Sequence, residues 1–100
     1  MNLSEITEKV TEKLSNASDI DATVKFNFGD DGCVFIDATE NPPKINNDDD
    51  DADLTLSCSI EVFENIAKGK QDPNIAFMMG KLKVSGPMGL ALKLASLLEN

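Results

Sequence analysis

The chain has 100 residues, with 9 Lys+Arg against 18 Asp+Glu and a net charge of −9; that is the size of one small domain, and 41% hydrophobic with 27% charged residues is a composition that folds. It contains no His, Trp, Tyr or Arg, so there is no imidazole base, histidine metal ligand, Ser-His-Asp triad or guanidinium clamp for phosphate. The acidic balance and only five Phe argue against nucleic-acid binding, which draws on counterion release and base stacking.

Residues 3–17 carry Leu3, Ile6, Val10, Leu14 and Ala17 at steps of three and four, the spacing of an amphipathic helix. Asn2 and Glu5 are placed for a capping box. Ala22, Val24, Phe26 and Phe28 alternate with polar residues, giving a strand with one buried face. Gly29-Asp30-Asp31-Gly32 is a turn by composition, and Cys33 to Ala38 is the second strand of a hairpin. Its consecutive Val34, Phe35 and Ile36 point to partial cover on both faces. Asn41-Pro42-Pro43 breaks the pattern, and Lys44-Ile45-Asn46 is a candidate short edge strand. Ala52, Leu54, Leu56 and Cys58 alternate again as a strand. Ser59 caps a short helix that turns Phe63 and Ile66 inward and stops at Gly69. Asp72-Pro73 starts a helix to Met79, Leu82 and Val84 mark a last strand, and Gly86-Pro87 opens a final helix to about Leu98. This order is α+β with a mostly antiparallel sheet, in one domain over residues 1–100 without repeats or a linker.

Few groups suggest chemistry. Cys33 and Cys58 form no CxxC or metal spacing and read as small buried apolar residues. Asp48, Asp49, Asp50, Asp51 and Asp53 lack the glycine and distal Glu of a calcium loop and read as a solvated acidic loop. Ser57, Ser59 and Ser85 have no evident base, and no carboxylate pair stands out among 18 acids, so neither an enzyme nor a cofactor or metal is expected. Met1 to Leu14 is not a signal peptide, no stretch approaches the ~20 apolar residues of a membrane span, and Leu98-Glu99-Asn100 is not a peroxisomal tripeptide. A cytoplasmic protein is the expectation.

The closing third stands out. From Met88 to Leu98 the only polar side chains are Lys93 and Ser96, and a helix apolar all round must be buried all round. A terminal helix with one side on the sheet has an apolar side to spare, which calls for an apolar ligand, a protein partner or a membrane. Ile75, Ala76, Phe77, Met78 and Met79 add to that surplus, and three of the four Met lie at 78, 79 and 88. Residues 1–60 hold 4 Lys and 14 acids, whereas residues 66–98 hold 5 Lys against Asp72 alone; apolar surface beside positive charge suits an anionic membrane surface. An ordinary core with Met as gap-filler is the competing reading.

The run Gly69-Lys70-Gln71-Asp72-Pro73, then Ala76-Phe77-Met78, Gly80-Lys81-Leu82-Lys83-Val84, Gly86-Pro87-Met88 and the Leu/Lys-rich final helix resembles the sterol carrier protein 2 family. Asp53-Leu54-Thr55-Leu56-Ser57 matches the strand before it, and the element order matches further upstream. The resemblance implies a five-stranded sheet in order 3-2-1-4-5, helices on one face, and a hydrophobic tunnel between them. It implies non-catalytic binding and transfer or presentation of lipids: fatty acid, acyl-CoA, phospholipid or sterol. The chain departs from the family at Met79, where some members carry Gln, in its short Asp-rich third-strand region, and in lacking the familiar peroxisomal ending.

On this reading an acyl or isoprenoid-like chain lies between the sheet and the last two helices. It would be lined by Phe35, Phe63, Ile66, Ile75, Met78, Met79, Leu82, Met88, Leu90 and Leu94, with Lys81, Lys83 and Lys93 at head groups or a membrane surface. The alternative is a protein–protein module that pairs, for instance with a second copy, through its apolar C-terminal helix.

Overall fold

The computed structural model describes residues 2–15, 20–40 and 42–98. Helix α1 spans Leu3–Leu14. Its start follows from the expected capping box: the Glu5 N–H donates to Asn2 Oδ1 at 2.9 Å, and the Asn2 N–H donates back to Glu5 Oε1 at 3.3 Å. Ile6, Val10 and Leu14 are wholly buried. The expected continuation to Ala17 lies outside the described residues.

Strands β1 (Thr23–Asn27) and β2 (Cys33–Asp37) form the expected antiparallel hairpin, with Val24 opposite Ile36 and Phe26 opposite Val34. Its turn is tight, closed by the Phe28 N–H to the Gly32 carbonyl at 2.9 Å. Gly32 has a positive φ of +102°, and a Cβ there would lie 2.8 Å from the Leu3 side chain; this lets the turn seat against α1. Strand β3 (Lys44–Asn46) pairs antiparallel with β2, and β4 (Leu54–Ser57) pairs parallel with β1. Strand β5 (Lys83–Ser85) pairs antiparallel with β4. The sheet order is therefore β3-β2-β1-β4-β5, a mixed sheet with three antiparallel pairings around one parallel one.

One face of this sheet is apolar: Val24, Phe26, Val34, Ile36, Leu54 and Leu56 are buried in a single cluster with the inward residues of the helices. The opposite face carries Lys25, Phe35 and Thr55 in one cross-strand row. The acidic loop crosses it on the way from β3 to β4. The Cys33 thiol donates to the carbonyls of Asn47 and Asp48 at 3.7 and 3.5 Å. Lys25 Nζ lies 2.8 Å from Asp49 Oδ1, and Thr23 and Asp53 exchange backbone-to-side-chain hydrogen bonds at 3.1 and 2.9 Å. Cys33 is buried beneath the loop and Phe35 is half-buried, which accounts for three successive apolar residues in β2.

Helix α2 (Ile60–Ala67) begins at Ser59, whose hydroxyl accepts from the Val62 N–H at 3.1 Å. Helix α3 (Pro73–Met78) begins at Asp72, whose carboxylate accepts from the N–H groups of Asn74 and Ile75 at 2.8 and 3.3 Å. The chain then folds back sharply, with the Lys81 and Leu82 N–H groups donating to the Ala76 carbonyl. Leu82 is buried as a result.

Helix α4 (Met88–Leu98) packs against α1, α2, α3 and β4. The helix therefore meets three other helices as well as the sheet. Leu94 is wholly buried, while Met88 and Leu92 stay exposed, so an apolar side is left over as the sequence suggests. No helix among the described residues is long and apolar enough to cross a membrane.

Candidate functional site

An apolar cavity of about 40 Å³ lies between the β4–β5 edge of the sheet and helices α2, α3 and α4. Its floor is one row of cross-strand neighbours, Phe26, Leu56 and Val84, together with Leu82. Phe63 and Ile66 of α2 form the back wall. Phe63 is held by edge-to-face contacts with both Phe26 and Phe28, each at 5.5 Å between ring centres, an arrangement aromatic quadrupoles favour. Pro73, Asn74 and Phe77 of α3 and Met88, Ala91 and Leu92 of α4 close the remaining sides. Phe77, Met88 and Leu92 each keep more than two-fifths of their surface in solvent, so they form the outer wall and the mouth.

Among the described residues, Cys58 and Asn74 carry the only polar side chains in this lining. Burial pushes the Cys58 thiol up to about 11 from an ordinary 9.0, the Phe63 backbone pulling partly the other way. It is therefore a neutral, weakly reactive group at neutral pH. At pH 8 its thiolate fraction is roughly a hundredth of that of an unburied thiol, so alkylation should be slowed by about that factor. The sign for stability follows: between pH 9 and about 11 the unfolded chain has released a proton that the folded chain still holds, so stability falls as pH rises through that window. Denaturant titrations at pH 8 and pH 10.5 check this, with Cys58→Ala expected to flatten the slope.

A second, open cleft adjoins the cavity at Cys58. Asn27, Ser57, Ser59, Lys81 and Lys83 line it with Phe28, Gly29 and Gly80. The two hollows share only Cys58: the row Asn27, Ser57 and Lys83 alternates with the floor row Phe26, Leu56 and Val84, so those polar side chains turn to the other side of the sheet.

Of the residues expected at the site, Phe63, Ile66, Leu82 and Met88 line the cavity, and Lys81 and Lys83 line the adjoining cleft. Ile75, Met78 and Met79 instead lie exposed on the outer side of α3. The inward phase of that helix is Pro73, Ala76 and Phe77, at i, i+3 and i+4. Leu94 is interior core and Leu90 packs half-buried against it, both outside the cavity lining. Phe35 sits on the opposite sheet face, because its register with Lys25 and Asn46 turns it away from the helices. Lys93 is exposed on α4, outside both hollows. The lining residues that sequence reasoning passed over include Phe26, Leu56, Val84, Phe77, Ala91 and Leu92. Helical phase was an available signal for Phe77, Ala91 and Leu92; the strand row required the register.

A family model described as the SCP-2 sterol transfer family matches residues 3–99. The chain belongs to that family. Among its relatives, hydroxysteroid dehydrogenase-like protein 2 of Rattus norvegicus is 37% identical over 73 residues, which are 71% of this chain and 14% of that protein. Sterol carrier protein 2 of Homo sapiens is 45% identical over 51 residues, 51% of this chain and 9% of that protein. The chain spans no more than about a seventh of the length of these relatives. In structure, the sterol carrier protein domain 2 of Helicoverpa armigera is 30% identical with a TM-score of 0.60, covering 96% of this chain and 76% of that one. The Aedes aegypti sterol carrier protein 2 in complex with palmitate shares the fold, at a TM-score of 0.74 and 20% identity, covering 98% of this chain and 96% of that one. The SCP-2 architecture, five strands in this order with helices over one face, is what brings the closing third of the chain over the β4–β5 edge.

Proposed function

We propose that this chain is a non-catalytic lipid-binding domain that holds one acyl or isoprenoid-like chain in the cavity between β4–β5 and helices α2–α4. The observation that carries the reading is the lining: hydrocarbon on every side, with a neutral thiol and one amide as the only polar side chains among its described residues. Pockets for drug-sized ligands run to about 300–1,000 Å³, so the cavity must widen to admit a chain. Phe77, Met88 and Leu92 are the walls that move, since each already has one side in solvent and turns outward without unpacking Phe63, Leu56 or Leu94. Each methylene buried contributes about 0.8 kcal/mol, enough over several carbons to offset that rearrangement.

The adjoining cleft suits an anionic head. Lys81, next to Leu82 of the cavity floor, offers charge, and Ser59 lines the same recess, while Lys83 and Ser57 alternate with Val84 and Leu56 and turn to the other side of the sheet. Fatty acid is the ligand class with the most direct support, since a protein of this fold is described in complex with palmitate; acyl-CoA, phospholipid and sterol share the same apolar requirement. The domain carries such a lipid between membranes or presents it to an enzyme.

Mass spectrometry of lipid retained through a native purification tests this reading, together with displacement of a fluorescent fatty acid. A co-purifying lipid and saturable one-site displacement are expected; neither being found overturns it. Ala91 is buried in α4 against the cavity, and Ala91→Leu adds three carbons where the guest would lie. The variant should lose at least about tenfold in fatty-acid affinity while its stability changes by less than about 2 kcal/mol.

A further inference from the structure

The open cleft beside Cys58 is furnished with hydrogen-bond donors. Asn27, Ser57 and Lys83 form one cross-strand row of its lining, and Ser59 and Lys81 line it with them. Asn27 Oδ1 accepts from the Gly29 N–H at 2.9 Å, which leaves the amide N–H groups of Asn27 to donate. Ser59 Oγ accepts from the Val62 N–H at 3.1 Å, which leaves its hydroxyl proton to donate. Lys25 and Lys68 are ion-paired, whereas Lys81 and Lys83 are exposed and carry no ion pair among the described residues. No described Asp or Glu lines the cleft, in a chain with 18 acids against 9 basic residues. Asp30 and Glu61, the acids nearest to Gly29 and Ser59 along the chain, are exposed and outside the lining.

The fold places this cleft at a particular point. Asn27 and Ser57 are the last residues of β1 and β4, the parallel pair of the sheet. From there the chain runs opposite ways: β1 leads to β2 on one side of the pair, and β4 leads through α2 and α3 to β5 on the other. In open α/β sheets, the crevice outside the carboxyl ends of parallel strands at such a reversal is where ligands bind. The cleft measures about 380 Å³, the scale of a small-molecule site.

From this we infer that the cleft binds the phosphate group of a small, water-soluble phosphate monoester. Such a group carries a charge of about −1.5 to −2 near pH 7 and three acceptor oxygens. The two ammonium groups match the charge, and the hydroxyls of Ser57 and Ser59 and the Asn27 amide donate to the remaining lone pairs. A carboxylate has one charge and would leave one ammonium group unused. The site is separate from the lipid cavity, because Asn27, Ser57 and Lys83 turn to the side of the sheet away from Phe26, Leu56 and Val84. Lys81 and Ser59 alone serve both this site and a lipid head group, so the phosphate needs no bound lipid.

The test is amide NMR of the full chain, titrated with inorganic phosphate and with glycerol phosphate, against sodium chloride at equal ionic strength. Both phosphates should give saturable shifts around Asn27, Ser57 and Lys81, and chloride should not. Lys83→Gln should weaken phosphate binding by about tenfold. Its fatty-acid affinity should be unchanged, since Lys83 alternates with Val84 of the cavity floor. Phosphate should still bind in the presence of saturating palmitate. Shifts no larger than those with chloride, undiminished phosphate binding by Lys83→Gln, or complete displacement of phosphate by palmitate would overturn the inference. Failure of the lipid reading looks different: no fatty acid is taken up, while the phosphate shifts persist.

Discussion

Phe63→Ala is expected to destabilise the fold by about 3–5 kcal/mol, lowering the melting temperature by at least about 12 °C for a domain of this size. Phe63 is almost fully buried, and its ring is the single partner that both Phe26 and Phe28 meet edge-on. Truncation removes two aromatic pairs together and leaves a void, because neither β1 nor the hairpin turn can move in to fill it. The same void extends the cavity behind Ile66 and Leu56. Saturating fatty acid should therefore raise the melting temperature of the variant more than that of the parent chain, since the guest now supplies contacts the ring once supplied. Thermal melts of both proteins, with and without fatty acid, check this. An equal shift in both would place the ligand somewhere other than against Phe63.

Gly86→Ala should be comparably severe, for a backbone reason. Gly86 has a φ of +130°, and a Cβ there would lie 2.5 Å from the Asp53 carbonyl oxygen and 3.0 Å from the Leu54 Cα. Both obstacles are backbone, so no side chain can swing aside. The positive φ alone costs a non-glycine residue about 1–3 kcal/mol, and the clash pushes β5 and the start of α4 away from β4. Loss of β5 pairing would take Val84 out of the cavity floor, so fatty-acid binding should fail together with stability. Gly89→Ala is the control. It lies in α4 with nothing within 4 Å of the added carbon, and should be neutral or stabilising by up to about 1 kcal/mol. Denaturant melts and the displacement assay on both variants read the contrast; a Gly86→Ala protein as stable as the parent would contradict the close approach.

The mouth of the cavity and the exposed apolar patch beside it have a common origin in α3. That helix has only six residues, and its inward phase takes Pro73, Ala76 and Phe77. The other apolar side chains, Ile75 and Met78 in the helix and Met79 at its end, are turned out. A short helix that is apolar on both sides cannot bury both against a single core, and here one side meets the hollow while the other meets the surroundings.

Much of this architecture was legible in the residues alone. Steps of three and four placed α1, strict alternation placed β1 and β4, and Asn2, Ser59 and Asp72 marked helix starts that the structure realises as side-chain caps. These are local matters, decided by neighbours a few positions away. The apolar and basic character of the closing third was equally plain from composition. Tertiary structure decided the rest. The parallel pairing of β1 with β4 brings Phe26, Leu56 and Val84 into one row, and no local pattern links residues so far apart. In β2 the alternation is lost, so only the register shows that Phe35 faces away from the helices. Helix α4 is apolar all round in sequence, yet which arc is covered by α1, which by α2 and α3, and which lines a hollow depends on where three other helices settle. Periodicity tells each element which of its faces is apolar; the element that covers that face, and whether any space remains between them, is set by packing among distant parts of the chain.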